Sequence, residues 1–136
     1  MNCELIFYLS NRTSLCEKAL KAAAGALDLK FRDAKYATSP ENYGSLIIDA
    51  FENVNVVFSV GGITGDKNGV ENVLSKALAN KSPDDLKKLR NPLSKTDGYL
   101  VRQGGQLLVV LPDEPAELEA VFAESLVPYL NSFLES

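Results

Sequence analysis

The chain has 136 residues, of which 46% are apolar and 24% charged, and its formal net charge is -4. That length fits one domain, residues 1–136, and the acidic balance argues against a nucleic-acid partner, because neutralising phosphates needs a basic surface. Histidine is absent, which excludes Ser-His-Asp and Cys-His catalysis. No apolar run is long enough to cross a bilayer, so we expect no membrane partner. Two cysteines form no disulfide framework, and we expect reduced thiols and a cytoplasmic location.

The first half of the chain alternates between strands and helices. The apolar stretch 3–10 predicts a strand, and residues 29–36 alternate as a half-exposed strand does. Ser39 and Pro40 predict a helix start, with serine as the cap and proline at the first helical position. The continuously apolar stretch 54–60 is typical of a strand buried on both faces. Between the first two strands, helical spacing predicts a buried face made of Leu15, Ala19, Leu20, Ala23 and Leu27.

The second half adds a hairpin and two further helices. A helix is predicted from about Gly69 to Asn80, and residues 81–97 are the most polar part, expected to be a surface excursion with one helical turn. Gly104-Gly105 separates two apolar runs, which is typical of a hairpin. The last helix is predicted to start near Glu114-Pro115 and to run almost to the end. This order predicts a three-layer α/β/α sandwich with a mostly parallel sheet and one antiparallel strand.

In such a sheet, ligands bind beyond the carboxyl ends of the strands. Three segments of unusual composition follow strands here: "SNRT" from Ser10, "GGITGDKNG" from Gly61 and "PDEP" from Pro112. We expect all three to lie at one edge. The glycine-rich segment, residues 61–69 and hereafter the glycine loop, permits positive φ and can present amides to an anion. The alternative is that a strand turning sharply into a helix needs these glycines for steric reasons alone.

Two stretches of the sequence resemble a known family. The segment "VVFSVGGITGDKNGVENVLSKAL" resembles the strand, glycine loop and helix of the molybdenum cofactor biosynthesis family, also called the molybdopterin-binding domain. Residues 91–130 resemble the end of its competence-damage-inducible, CinA-like branch. The residues that match that pattern are Leu111, Pro112, Pro115, Glu117, Phe122, Pro128 and Leu130.

The resemblance implies a cytoplasmic α/β/α domain that binds a pterin with its phosphate, or a related nucleotide. It also implies a homo-oligomer, and apolar residues on more than one face of the last helix predict a dimer or trimer (Val121, Phe122, Leu126, Val127, Leu130, Phe133 and Leu134). The residues expected to bind the ligand or its phosphate are Ser10, Asn11, Gly61, Gly62, Thr64, Gly65, Asn68, Pro112 and Pro115. Magnesium is the implied metal, with Asp66, Asp113 and Glu114 as its candidate ligands.

The chain departs from the family pattern at the site, and it is shorter than typical members. A family glycine after leucine and proline is replaced by Asp113, whose carboxylate repels phosphate. The third motif glycine falls on Thr64, the acidic residue on Asn68 or Gly69, and the threonine on Glu71.

Three functional hypotheses remain. The first is a divergent molybdopterin-binding-like domain that binds a pterin or nucleotide phosphate with weak or no catalysis. The second is an active enzyme, either a molybdopterin adenylyltransferase or a CinA-like nucleotide pyrophosphatase, that transfers nucleotidyl groups or hydrolyses pyrophosphate with magnesium. The third is an interaction module with a vestigial pocket. The loop glycines favour the first over the third, and loss of the in-register acid favours the first over the second.

Overall fold

A computed structural model describes residues 1–77 and 83–135. Its centre is a six-stranded sheet with the strand order β2-β1-β3-β6-β5-β4. The strands are β1 (Asn2–Tyr8), β2 (Lys30–Ala37), β3 (Val56–Val60), β4 (Asp85–Leu89), β5 (Gly98–Gln103) and β6 (Gln106–Leu111). The helices are α1 (Thr13–Gly25), α2 (Pro40–Phe51), α3 (Val70–Ala77), α4 (Pro115–Val121) and α5 (Val127–Glu135), with a π-helical segment Phe122–Leu126 between the last two.

The strand directions confirm the predicted sheet. Strands β1, β2, β3 and β6 pair in parallel, whereas β5 is antiparallel to both β6 and β4. Because two successive reversals restore the original direction, β4 runs with the parallel strands, and β5 is the one antiparallel strand. The hairpin predicted at Gly104-Gly105 joins β5 to β6.

The helices cover both faces of the sheet, as a three-layer sandwich requires. On one face, Leu5 and Phe7 of β1 belong to a core shared with α1, α4 and α5. On the other face, Ile6 and Tyr8 belong to a core shared with α2 and α3. Alternate residues of β1 therefore serve opposite cores, which explains why the strand is apolar throughout.

Two local predictions were wrong. Residues 85–89 form the edge strand β4, although this polar region was expected to contain only a helical turn. The lysines of β4 interrupt the apolar alternation by which a strand is predicted. An edge strand tolerates charge on both faces, and lysine there discourages pairing with other chains. Leu15, expected in the core, has 60% of its surface exposed, because the buried face of α1 includes Cys16 beside the correctly predicted Ala19 and Leu20. The predicted end of α3 at residues 78–80 lies outside the described residues.

The last helical stretch packs its apolar residues into the chain itself. Val121, Phe122, Leu126 and Leu130 are buried, and the remaining three, Val127, Phe133 and Leu134, pack against the same core. The apolar surface on which we based self-association is therefore largely used within one chain, and the dimer or trimer stays a prediction. None of the described helices is long and apolar enough to span a membrane.

Candidate functional site

The three predicted loops meet at one edge of the sheet. The Gly61 amide donates to the Leu111 carbonyl at 3.0 Å, which joins the end of β3 to the end of β6. The Asn11 amide donates to Asp113 Oδ2 at 3.4 Å, and the Arg12 guanidinium lies 3.6 Å from the Glu114 carboxylate. This juxtaposition follows from the central position of β1, β3 and β6, which are parallel neighbours and so end together.

The loop glycines have positive φ, as predicted: 92° at Gly61, 74° at Gly62 and 75° at Gly65. A methyl group on Gly61 would lie 2.6 Å from the Tyr8 carbonyl oxygen, and one on Gly62 would lie 2.4 Å from the Tyr8 ring. At Gly65 the nearest such atom is 3.9 Å away. Gly61 and Gly62 are thus required by packing within the chain, whereas Gly65 is required only by its backbone conformation.

Hydrogen bonds within the glycine loop fix its shape. Asp66 Oδ1 accepts from the Thr64 hydroxyl and from the Asn68 amide, both at 2.9 Å. These bonds, that of Asn68 foremost, lower the pKa of the Asp66 carboxyl below its ordinary value. From below, the Tyr8 hydroxyl donates to the Asn68 carbonyl, and the Tyr8 ring stacks on Tyr43 with a centroid distance of 4.2 Å. The loop is therefore held by its own side chains and by a buried aromatic pair.

The three carboxylates predicted to hold magnesium do not converge. Asp66 is used within the glycine loop, and Asp113 accepts from Asn11. Glu114 caps α4 by accepting from the Glu117 amide at 2.9 Å, the structural role that a carboxylate at a helix N-terminus favours. In the part of the chain that the structure describes, no three histidine, cysteine, aspartate or glutamate side chains are grouped to hold a metal ion. These residues therefore do not fit a magnesium site.

A cavity of about 400 Å³ lies beside the glycine loop. Its wall includes Lys67 and Asn68 from the loop, Lys76 from α3, and Pro40 and Glu41 from the start of α2. Asn68 is one of the predicted ligand-binding residues. Two lysines against one glutamate leave the wall with a positive balance, in contrast to the acidic chain as a whole.

Two buried oxygen atoms near the loop, Ser10 Oγ and Glu71 Oε1, have no hydrogen-bond partner. Among the described residues, no other buried side-chain nitrogen or oxygen lacks a partner. Ser10 Cβ would lie 3.0 Å from a methyl group on Gly61, and Glu71 Oε1 would lie 3.2 Å from one on Gly69. Both atoms therefore border the glycine loop. Buried polar atoms are usually paired, so each unpaired atom needs an explanation.

A fourth loop, residues 90–97, connects β4 to β5. It lies at the same edge, because β4 has the direction of the parallel strands and ends where they end. Its centre is Asn91, which is 4% exposed and whose amide donates to Glu117 Oε1 at 2.6 Å. Glu117 Oε1 also accepts from the Ser94 hydroxyl at 2.6 Å. This network fastens the loop to α4. Sequence inspection missed it, because the partners are 26 residues apart and an asparagine before proline is typical of any surface turn.

The remaining predicted residues take positions at the borders of these elements. Pro112 is buried directly after β6, and Pro115 is the first residue of α4. Thr64, Gly65 and Asn68 lie in the glycine loop, and Ser10 and Asn11 follow β1. The structure therefore brings the predicted set to one sheet edge. Glu71, on the first turn of α3, was not among the predicted binding residues, although the threonine of the family pattern falls on this position.

Comparison with known proteins finds sequence similarity over part of the chain. No protein-family model matches the chain. A competence-damage inducible protein of Clostridium novyi is 39% identical over 54 residues, which cover 40% of this chain and 13% of that protein. The chain thus aligns with only about an eighth of the length of that relative.

Solved structures extend the similarity to the whole fold. A molybdopterin biosynthesis protein from Mycobacterium abscessus superposes with a TM-score of 0.77 at 14% identity, covering 98% of this chain and 94% of the other. The protein CinA from Thermoplasma acidophilum superposes with a TM-score of 0.73 at 16% identity, covering 97% of each chain. The chain therefore has the α/β fold of these solved structures, and part of its sequence is similar to competence-damage inducible proteins.

Proposed function

We propose that the edge formed by the glycine loop and the ends of β1 and β6 binds the phosphate of a pterin or of a related nucleotide, with weak or no catalysis. The observation that carries this proposal is the buried, unpaired hydroxyl of Ser10 beside Gly61. A buried hydroxyl without a partner costs about 1–3 kcal/mol, and a phosphate oxygen that accepts its hydrogen bond would recover that energy.

The charges around the loop support an anionic ligand. Lys67 and Lys76 line the adjacent cavity, and Arg12 extends from the loop after β1 with 58% of its side chain exposed. An exposed guanidinium offers the paired donors that suit phosphate. One of the similar solved structures is a molybdopterin biosynthesis protein. That similarity favours a phosphate-bearing pterin among the possible anions.

The state of the carboxylates supports binding over turnover. Phosphoryl transfer depends on groups that neutralise the charge of the reacting phosphate. In kinases, ATPases and GTPases a metal ion has that role. Here Asp66, Asp113 and Glu114 each stabilise local structure through a separate hydrogen bond. An enzyme of the adenylyltransferase or pyrophosphatase kind would need to break those bonds before it could assemble a metal site.

Calorimetric titration of the whole chain with AMP and with pyrophosphate tests the proposal. We expect saturable binding of both, and at least about fivefold weaker binding by Ser10→Ala, because that variant lacks the hydroxyl donor. Ser132→Ala is the matched control, since Ser132 is exposed on α5 and its loss should leave both affinities unchanged.

Three outcomes would contradict the proposal. Absence of binding by both probes would leave the site without its phosphate ligand and favour an interaction module. Equal affinities of Ser10→Ala and the unmodified chain would place any binding elsewhere. Steady release of phosphate or pyrophosphate from ATP with magnesium, abolished by Asp66→Asn, would show the enzyme instead.

A further inference from the structure

We infer that the outer edge of β4, with the cavity beside it, binds an extended acidic segment of a partner protein, which adds to the sheet as a further strand. The pattern that fits this segment is apolar, acidic, acidic, apolar, opposite residues 86–89. The surface is separate from the proposed phosphate site, because two strands lie between β4 and β3, which leads into the glycine loop.

Strand β4 lies at one edge of the sheet. It is the last in the strand order, and among the described strands it pairs with β5 alone. An edge strand presents unpaired N–H and C=O groups along its outer side, and an extended peptide binds to such groups by β-augmentation. Leu86 has 60% of its surface exposed, and Lys87 and Lys88 are exposed as well. The five residues of β4 therefore offer a partner segment both main-chain hydrogen bonds and side-chain contacts.

A cavity of about 530 Å³ lies between β4 and α5, and its apolar wall includes Leu89, Tyr129 and Phe133. Lys87 points to the same face as α5, because its ammonium lies 5.0 Å from the centroid of the Tyr129 ring. Side chains alternate along a strand, so Leu89 also points to that face. A residue opposite Leu89 in an added strand would enter the cavity. An aromatic residue suits this place, since two rings already line it.

The wall of the cavity has an excess of positive charge. Lys87, Lys88 and Arg102 line it against one carboxylate, that of Asp85. Asp85 Oδ2 accepts from the Tyr129 hydroxyl at 2.7 Å and lies 4.0 Å from the Arg102 guanidinium, so its charge is offset within the chain. The ion pairs of the described residues include neither Lys87 nor Lys88. Two consecutive carboxylates in a partner segment would supply one to each lysine.

The two lysines also determine which segments are accepted. Opposite charges across a strand pair stabilise it, and like charges destabilise it. Lysine at the edge therefore discourages pairing with basic or neutral strands, whereas an acidic strand is attracted. Leu86, on the other face of β4, favours an apolar residue opposite it. This edge is locally basic in a chain whose net charge is -4.

Fluorescence anisotropy with the fluorescein-labelled peptide TVEEFT tests the inference on the whole chain. We expect saturable binding, with slower hydrogen exchange of the backbone amides in residues 85–89. The peptide TVKKFT should bind at least about tenfold more weakly, because it places like charges opposite the lysines. TVEEAT, which has no aromatic residue for the cavity, should bind at least about fivefold more weakly. N-methylation of the backbone amides of TVEEFT should abolish binding, because it prevents main-chain pairing.

Charge reversal on the protein gives the complementary test. Lys87→Glu should bind TVEEFT at least about fivefold more weakly than the unmodified chain does, and should bind TVKKFT more tightly. This gain also shows that the variant is folded. Lys35→Glu is the matched control, because Lys35 is exposed on β2, the opposite edge strand. It should leave both affinities unchanged.

Four results would overturn the inference. The first is absence of TVEEFT binding. The second is equal binding of the N-methylated peptide, which would make the cavity a site for anions without strand addition. The third is an equal loss in Lys35→Glu, which would point to net charge or to β2. The fourth is a dimer mass by light scattering that Lys87→Glu converts to a monomer, which would assign this edge to a second copy of the chain. The phosphate proposal is tested separately by AMP and pyrophosphate.

Discussion

The Asp113 carboxylate accepts a hydrogen bond from the Asn11 amide at 3.4 Å, across the gap between the loops that follow β6 and β1. A backbone amide at this edge is the kind of donor that a phosphate would use. Here the Asp113 carboxylate, which is negatively charged like phosphate, already accepts the hydrogen bond of the Asn11 amide. The pattern of the CinA-like branch, which the sequence resembles, has a glycine at this position. Asp113 therefore adds a side chain and a negative charge where the family pattern has neither.

Asp113→Gly should therefore strengthen the binding of phosphate ligands. Two unit charges about 4 Å apart repel by roughly 4 kcal/mol at an effective dielectric constant of 20, and solvent reduces that figure. We expect AMP and pyrophosphate to bind at least about tenfold more tightly, which corresponds to about 1.4 kcal/mol. Calorimetric titration measures the change, and Asp113→Asn separates the contribution of charge from that of bulk.

Asp28→Asn is the control for this change. Asp28 precedes β2 at the opposite end of the sheet, where its carbonyl accepts from the amino terminus, and its φ of 57° suits asparagine. The substitution Asp28→Asn removes one negative charge from the chain at a position outside the candidate site. If Asp28→Asn strengthened binding as much as Asp113→Asn, net charge alone would explain the effect, and the obstacle at Asn11 would be disproved.

The glycine loop makes a second prediction, about stability. Gly62→Ala should destabilise the fold more than Gly65→Ala, although both residues have φ near 75°. The left-handed backbone costs either alanine roughly 1–2 kcal/mol. Only at residue 62 does the methyl group also meet the Tyr8 ring at 2.4 Å and Val70 at 2.9 Å, which adds roughly 1–3 kcal/mol of overpacking.

Urea unfolding of the two variants measures this difference. A smaller loss for Gly62→Ala than for Gly65→Ala would mean that the loop does not pack on Tyr8 as described. Gly104→Ala is a further comparison, because Gly104 has a φ of 60° and no atom within 4 Å of an added methyl group. It should resemble Gly65→Ala.

The two thiols make a third prediction, about reactivity. Burial raises the pKa of both Cys3 and Cys16 to about 11, and the charges of Asp113 and Glu114 contribute at Cys16. At pH 8 roughly one thiol in a thousand is ionised, and the thiolate is the reactive form. Iodoacetamide should therefore leave the folded chain unmodified and alkylate both thiols in denaturant, as mass spectrometry would show. Rapid alkylation of the folded chain would contradict the burial of these residues.

The sequence predicted most of the fold because its strongest patterns are local. Ser39 accepts from the Asn42 amide at 3.2 Å, as the serine-proline pair at the start of α2 indicated. The buried strand β3 and the hairpin at Gly104-Gly105 were also evident from short stretches. Strand β4 was missed because an edge strand with two lysines lacks the apolar alternation on which strand prediction depends.

The candidate site was less predictable, because its determinants join distant parts of the chain. The three loops were correctly expected at one edge, since parallel strands fix that arrangement. Nothing local shows that Tyr8 fills the space beside Gly62, or that Asn91 meets Glu117 26 residues away. For the same reason the sequence does not show that a buried oxygen of Glu71 lacks a partner.

The lowered pKa of Asp66 makes a fourth prediction, about pH. The Asn68 amide and then the Thr64 hydroxyl stabilise the charged carboxylate in the folded state. Its contribution to stability is therefore fully present above the unfolded pKa of about 3.9 and is lost as pH falls through the lower folded pKa. Thr64→Val removes the hydroxyl and should raise the Asp66 pKa, measured by NMR titration of the carboxyl carbon, whereas Thr64→Ser should preserve it. An unchanged midpoint in Thr64→Val would show that the hydroxyl makes no bond to Asp66 in solution.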